Sequence, residues 1–436
     1  MRELAYGIVC GTLEEDGHSD ELLHAVYAGH PELTTQQKRF LKNLSYGTIE
    51  RCIELDALLN QYSSVRVHRM EQPVRTVLRM ALYELRYMDQ VPAPATCNEA
   101  VELVKIKDCG RYAAFVNGVL RTLTRQRDSL EIRKDWVRFS LPRELMDHLT
   151  SGYGKKTAHR IAQAFLEHRG DVTLHIRTDR ITTAEFGRML GDAGIAYEPG
   201  HYLKDALIVH NASDIRNLPG YREGLFFVQD ESSMLPVLCA GIRPGDRVVD
   251  VCSAPGGKAM HARMALGDRG ELLARDISEA KAARIRENME RMQYSRVTVQ
   301  VWDAARPDPD RRGTADVVLA DVPCSGIGII GRKPEIKYHA LEHAAELVPL
   351  QRRISRASAE LLRPGGVMIY STCTVNRAEN EENVQWMEEN LGLVRESLDD
   401  YLPETLRSRM TAQGMLQMLP GIQKSDGFFV SRLYKK

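Results

Sequence analysis

Two cysteines are the residues of this 436-residue chain best suited to covalent chemistry. Cys324 lies in ADVPCSG (320–326) and Cys373 in YSTCT (370–374), each just after a short apolar run that reads as a strand. Although 49 positions apart, they would stand within several ångströms of each other at the ends of neighbouring strands. One cysteine at a strand end is ordinarily core. Two, each in a polar loop, point to a nucleophile with a partner. A thiol of pKa about 8.5 is only a few per cent thiolate at neutral pH and needs an activating neighbour. Lys258 and nearby loop amides are the candidates. Adding a thiolate to carbon 6 of a pyrimidine makes carbon 5 nucleophilic enough to take a methyl group, and a carboxyl group at ring nitrogen 3 stabilises the charge that develops. Asp321, before the Pro-Cys pair, is placed for that work.

A second group of residues suits a nucleoside cofactor. Asp250 and then Cys252, Ser253, Ala254, Pro255, Gly256, Gly257 and Lys258 follow an apolar run and lead into a helical pattern. The two glycines remove side chains where a ligand must approach the backbone, and the first turn of the helix offers free amides to a carboxylate or phosphate. This is neither the GxGxxG dinucleotide fingerprint nor the GxxxxGK[ST] phosphate loop, and a tight structural turn is the alternative. Asp276 ends the next apolar run, where an acid accepts hydrogen bonds from both ribose hydroxyls. Standing before Ile277 and Ser278, it also reads as a helix cap. Asp303, in VWDAA, is placed to touch an adenine amino group or to make a simple turn.

The elements that must position these residues alternate from about residue 227 onward. Apolar strands at 247–251, 271–277, 297–302, 316–321 and 367–370 are separated by helical patterns, as in a parallel sheet covered on both faces. In such sheets ligands bind at the carboxyl ends of the strands, near the point where strand order reverses. Upstream, helical stretches at 141–149, 157–168 and 184–193 alternate with extended ones at 172–177 and 206–209, which predicts a small α+β module. Before that come two helical stripes. One runs through Leu41, Leu44, Cys52, Leu55 and Leu59; the other follows Pro73 through Val74, Val77, Leu78, Ala81, Leu82 and Leu85. VPAPAT (91–96) stops the second helix, and Asn98 with Glu99 caps the next. The expected division is an all-α domain at 1–130, an α+β connecting module at 131–225 and an α/β domain at 226–436.

Composition bounds the rest. A hydrophobic fraction of 43% and a charged fraction of 27% are those of ordinary globular protein. The 59 Lys+Arg against 59 Asp+Glu leave no global field, yet residues 61–170 carry 19 basic against 12 acidic side chains, which suits a phosphate backbone or a solvated helical surface. The eight cysteines show no CxxC or CxxH spacing, so neither a metal site nor a redox pair is indicated. The start, MRELAYGIVCGTLEEDG, lacks a signal-peptide pattern, and no run of about 18 apolar residues occurs. A cytoplasmic protein without membrane contact is expected.

At these residues the sequence resembles the cytosine-5 RNA methyltransferases that use S-adenosylmethionine, in particular the bacterial small-subunit ribosomal RNA methyltransferase B group, also called Sun or Fmu. DVCSAPGGK, ARDIS, DVPCSG, LRPGGVMIYSTCT, AENEENV and SDGFFVSRL follow its order and spacing over nearly the whole chain. The resemblance implies a Rossmann-like catalytic domain in which residues 252–258 line the methionine part of S-adenosylmethionine, Asp276 holds the ribose and Asp303 lies near the adenine. It implies that Asp321 is shared between cofactor and target base, that Cys373 attacks the base and that Cys324 helps release the methylated product. The amino-terminal helices resemble the NusB-type RNA-binding domain, which favours ribosomal over transfer RNA. Ser253 stands where the family often has alanine, and Arg377 and Ala378 where proline is usual.

A carbon 6 hidden in a duplex must be flipped out or already unpaired, so a structured loop of small-subunit ribosomal RNA, exposed before assembly is complete, is the expected target. The basic stretch from Arg121 to Lys156 would hold the flanking backbone. The protein is expected to act as a monomer. A nicotinamide-dependent dehydrogenase would leave both cysteines unexplained. A non-catalytic RNA-binding or antitermination protein, or the same chemistry on transfer RNA, are the further alternatives.

Overall fold

The first helical stripe lies on the helix Thr35–Tyr62 in the computed structural model, which describes residues 1–126, 132–167, 170–210 and 214–436. Thr34 starts it with a reciprocal cap: its hydroxyl accepts from Gln37 N, and the Gln37 side chain accepts from Thr34 N. The second stripe forms the helix Gln72–Tyr87, with Pro73 in its first turn and Val74, Val77, Leu78, Ala81, Leu82 and Leu85 buried. Helices Arg2–Leu13, Ala93–Ile106 and Ala113–Arg125 share the same apolar core.

The helix expected to begin at Asn98–Glu99 starts at Ala93 instead, so both residues lie inside it. Pro92 is its cap and Pro94 falls in its first turn, where a missing N–H removes no helical bond. VPAPAT therefore opens a helix as well as separating two.

Much of the basic excess is neutralised internally. Arg79 forms a fork on Asp56 at 2.7 and 2.8 Å, and Arg86 pairs with Glu54 at 2.9 Å. Arg121, Arg125, Lys134, Arg138, Lys155 and Lys156 stay exposed. Residues 127–131 of the basic stretch, with the boundary expected at 130/131, lie outside the described residues, as does His168 at the end of one expected helix.

The chain falls into two compact units, Met1–Glu167 with Ile330–His339, and His168–Ile329 with Ala340–Lys436. The expected middle module is thereby shared out. Its helices Asp135–Arg138, Arg143–Tyr153 and Lys155–Phe165 belong to the first unit, the strands that follow to the second. Segment 330–339 completes the first unit: buried Lys337 donates from Nζ to the Glu50 carbonyl, and Tyr338 OH donates to the Ile49 carbonyl at 2.8 Å.

The second unit holds two sheets. The smaller is antiparallel, with β1 (Val172–Ile176), β2 (Tyr197–Pro199), β3 (Ala206–Val209) and β4 (Phe226–Val228) in the order β2-β3-β1-β4. Leu174 faces Val228 across the β1–β4 pair, so this sheet runs past residue 225.

The larger sheet contains β5 (Arg247–Asp250), β6 (Glu271–Asp276), β7 (Val297–Val301), β8 (Ala315–Asp321), β9 (Leu362–Thr372), β10 (Leu393–Arg395), β11 (Met415–Met418) and β12 (Phe428–Lys435). Its order is β10-β12-β9-β8-β5-β6-β7, with β11 also on β12; β5 to β9 are parallel, and β12 runs antiparallel to β9. Alternate residues serve two cores. Val248, Leu272, Leu319 and Ile369 pack with helices Gly257–Leu266 and Glu279–Arg291 on one face, while Val249, Leu273, Val318 and Met368 pack with Ala340–Leu361 and Glu381–Leu391 on the other. The fold is that of an all-helical domain followed by an α/β domain built on a largely parallel sheet. Among the described residues no helix is long and apolar enough to cross a membrane.

One packing contact decides a sign. A Cβ built on Gly47, in the middle of Thr35–Tyr62, would lie 2.0 Å from both Cζ and the hydroxyl oxygen of Tyr83. Gly to Ala inside a helix ordinarily stabilises by about 1 kcal/mol. Here overpacking of about 1–3 kcal/mol should win. Gly47→Ala is expected to lower the unfolding free energy in urea, and in a Tyr83→Ala background the same change should turn neutral or stabilising.

Candidate active site

Strand order reverses between β5 and β8: the chain leaves β5 for β6 and β7 and returns to β8 on the other side. The crevice for a ligand therefore lies at the carboxyl ends of β5 and β8, which are Asp250 and Asp321. The loop after β5 is laced to the end of β6. Ser253 N donates to the Arg275 carbonyl at 2.8 Å, and Ala254 N donates to Asp276 Oδ2 at 2.9 Å. Gly256 takes φ +107°, a conformation that favours glycine, and Gly257 begins the next helix.

Asp276 also accepts from Ile277 N at 2.8 Å and pairs with Lys281 Nζ at 3.2 Å through Oδ1. Its cap-like contacts thus coexist with its place at the strand end. Asp303 Oδ1 accepts from Ala305 N at 2.9 Å, closing a local turn beyond β7.

The loop has unmet polar capacity. Asp250 is fully buried, and neither of its carboxyl oxygens nor the Ser253 hydroxyl has a hydrogen-bond partner in good geometry among the described residues. Burial pushes the Asp250 carboxyl up to about 7, reinforced by the charge of Asp321 and opposed by the nearby Ser253 hydroxyl, Lys258 ammonium and Cys252 amide. Acceptors left unmatched inside a protein are costly. They fit a cofactor that brings its own ammonium and hydroxyl donors, as S-adenosylmethionine does.

The two expected thiols meet. Parallel pairing sets Asp321 opposite Ser371, and the loops that follow bring Cys324 Sγ to 3.1 Å from Cys373 Sγ. Gly328 N donates to the Cys373 carbonyl at 3.1 Å. The approach requires glycine, since a Cβ on Gly328 would stand 2.2 Å from the Gly427 carbonyl oxygen. The hydrogen bond with Cys373, then burial, raises the Cys324 thiol well above its usual range. Burial does the same to Cys252. Both stay protonated thiols at neutral pH.

Asp321 receives two donors, Lys258 Nζ on Oδ2 and Ser371 Oγ on Oδ1, each at 2.7 Å. Lys258, with the loop amides a candidate activator of a cysteine, places its ammonium on Asp321 and over the Phe428 ring at 5.2 Å, and Cys373 sulfur touches the Cys324 thiol. A carboxylate holds an ammonium strongly.

Sequence reasoning missed the polar network behind the cysteines. Glu379 and Asn380 are 0% exposed and Asn383 is 1% exposed, and together with Gln351 and Asn376 they bind both cysteine loops. Glu379, Asn380 and Asn383 belong to AENEENV, which the sequence marked only as part of the family resemblance and to which no role was given.

Residues 238–434 match the family model described as 16S rRNA methyltransferase RsmB/F, and residues 1–125 match that of the NusB family. A "Probable ribosomal RNA small subunit methyltransferase B" of Bacillus subtilis (strain 168) is 31% identical over 446 residues, spanning 100% of this chain and 99% of the relative. This chain belongs to the RsmB/F family. A Vibrio cholerae relative with the name "Ribosomal RNA small subunit methyltransferase B" is 29% identical over 96% of this chain and 94% of its own. Among solved structures, that of PH0851 matches with a TM-score of 0.82 at 20% identity, covering 99% of this chain and 97% of that one. NSun6 from Pyrococcus horikoshii with SFG matches with a TM-score of 0.61 at 21% identity, covering 67% and 98%. These two show the fold. As an RsmB/F protein the chain is an RNA methyltransferase that uses S-adenosylmethionine.

Asp250 gives a pH test. Its folded-state pKa is raised above the unfolded value, so its contribution to stability is fully present below about 4 and is lost as pH rises through about 7. Without cofactor, urea unfolding should show the wild type losing stability between pH 4 and 8 relative to Asp250→Asn. Parallel curves for the two proteins would show that the carboxyl is not strained by burial.

Proposed function

We propose that this RsmB/F protein methylates carbon 5 of a cytidine in small-subunit (16S) ribosomal RNA through a covalent bond between Cys373 and the base. The observation that carries the reading is the thiol pair at 3.1 Å, next to Asp321 and across the strand-order reversal from the 252–258 loop. The names of the curated relatives support the small-subunit target.

Residues 252–258, Asp276 and Asp303 hold S-adenosylmethionine, which supplies the methyl group when bound. Cys373 attacks carbon 6 as the thiolate, and the S–C bond shifts electron density to carbon 5. Asp321, oriented by Lys258 and Ser371, meets ring nitrogen 3 as the carboxylic acid and passes its proton to that nitrogen as negative charge builds on the ring, taking it back on release. After methylation carbon 5 must lose its proton before the Cys373–carbon 6 bond can break. That proton leaves to solvent, the electron pair of the breaking bond returns to Cys373 sulfur, and the protonated Cys324 thiol in contact with that sulfur donates a hydrogen to the departing thiolate. The target base enters flipped out of its stack, and the exposed basic side chains between Arg121 and Lys156 hold the flanking phosphates. The protein acts as a cytoplasmic monomer on RNA not yet fully assembled into the subunit. The unit Met1–Glu167 with Ile330–His339 serves as its RNA grip and the unit His168–Ile329 with Ala340–Lys436 as the catalytic part.

Cys373→Ala is expected to abolish methyl transfer while cofactor affinity, read by calorimetry, stays within about threefold, since the thiolate adds to the base and not to the cofactor. Cys324→Ala should trap a protein–RNA adduct, seen as a slow band on a denaturing gel. The deciding assay follows labelled methyl groups from S-adenosylmethionine into unmodified total RNA, sized and digested to nucleosides. Label in 5-methylcytidine from small-subunit RNA supports the reading. Label confined to transfer RNA overturns the substrate, and full activity of Cys373→Ala overturns the mechanism.

A further inference from the structure

Glu379 stands behind the two cysteine loops, fully buried, and takes no part in the chemistry above. Its two oxygens accept four hydrogen bonds. Oε1 accepts from Ser325 N at 2.8 Å and Gln351 Nε2 at 3.0 Å; Oε2 accepts from Ser325 Oγ at 2.5 Å and Asn376 Nδ2 at 3.0 Å. Only an ionised carboxylate offers that many acceptor sites and no donor. A glutamine would turn an NH2 toward two of the four donors.

The donors come from both loops. Ser325 follows Cys324 directly, and Asn376 is three residues beyond Cys373. The serine hydroxyl has a single proton, which it gives to Glu379. Its 2.8 Å contact with Thr374 Oγ1 must therefore be donated by the threonine, the residue next to Cys373. The result is a directed chain from Thr374 to Ser325 to Glu379, crossing from one cysteine loop to the other. Gln351 adds a bond to the Pro323 carbonyl at 2.9 Å and is itself held by Asn383 Nδ2 at 2.8 Å. Asn380 Nδ2 donates to the Thr374 carbonyl at 3.0 Å.

We propose that Glu379 is a positioning residue: its buried carboxylate clamps the Cys324 loop to the Cys373 loop and so sets the distance between the two thiols. The inference rests on the reading of Cys373 as nucleophile and Cys324 as its partner in release. It goes further in assigning a task to AENEENV, whose first acid would otherwise be a charge buried for no stated purpose. The negative charge also adds, behind Cys373 itself and burial, to what keeps Cys324 protonated.

The test uses the full chain carrying Glu379→Gln. Four quantities are measured: kcat and KM with RNA, the dissociation constant of S-adenosylmethionine, and the rate at which diamide, taking up both thiol hydrogens, joins Cys324 to Cys373. The disulfide is followed by peptide mass mapping and needs no RNA. Misplacement of reacting groups by about 1 Å costs roughly 100-fold, so kcat should fall by about that factor and disulfide formation by about tenfold. KM and cofactor affinity should stay within about threefold, because Glu379 is fully buried behind the cysteine loops.

A folded Glu379→Gln protein with wild-type kcat would overturn the proposal. So would a fall in kcat with an unchanged disulfide rate per thiolate, since the thiols would not have moved. The rate per thiolate is read from the pH dependence, because loss of the Glu379 charge also favours the Cys324 thiolate. Should Glu379→Gln not fold, Ser325→Ala removes the relay alone and is expected to lower kcat by about tenfold at unchanged cofactor affinity. Wild-type kcat in that variant overturns the clamp. If wild type methylates no RNA while the disulfide rate still drops in Glu379→Gln, the methyltransferase reading fails and the clamp stands.

Discussion

The parallel pairing of β8 with β9 is the constraint on which the rest of the site depends. Its register sets Asp321 opposite Ser371, and Val322 N donates to the Ser371 carbonyl at 3.1 Å. Cys324 lies three residues past one of these partners and Cys373 two past the other. A slip of one residue would turn every side chain of a strand to the opposite face. Two apolar layers forbid it, with Leu319 and Ile369 in one core and Val318 and Met368 in the other. Hydrophobic burial several residues away thus decides whether two sulfur atoms touch.

Four acids, Asp250, Asp276, Asp303 and Asp321, are gathered at the same end of the sheet. Three already hold protein donors, whereas buried Asp250 lacks them in good geometry. The unliganded protein therefore carries an electrostatic cost that a cationic ligand relieves. Anything that binds only the native state stabilises it, and here part of the gain comes from relief of strain already present.

The parts of the structure legible in the sequence were those with a one-dimensional signature. β5, β6 and β8 carry apolar stretches that end in Asp250, Asp276 and Asp321, and β7 and β9 carry apolar residues followed by WDAA and STCT, so their carboxyl ends, and with them both cysteines, could be placed. Other parts depend on tertiary context. β12 closes the sheet from FFVSRLYK, whose Arg432 is buried because it donates to the carbonyls of Cys239 and Ala240 at 2.8 Å. Glu379 resembles its solvated neighbours until four donors surround it. Lys337, in the polar stretch GRKPEIKYHA, reads as surface and is buried because the Glu50 carbonyl receives it.

That last segment bears on the order in which the chain can fold during synthesis. Residues 330–339 complete a unit whose other residues all precede position 168, so the helical part leaves the ribosome with the sites for Lys337 and Tyr338 still open. About 170 further residues must be translated first, which at 5–20 residues per second takes roughly ten to thirty seconds. Through that interval the Ile49 and Glu50 carbonyls lack the donors from Tyr338 and Lys337. The helical unit is finished only after Cys324 has been made, so no nascent chain presents a complete first unit without the start of its catalytic sequence.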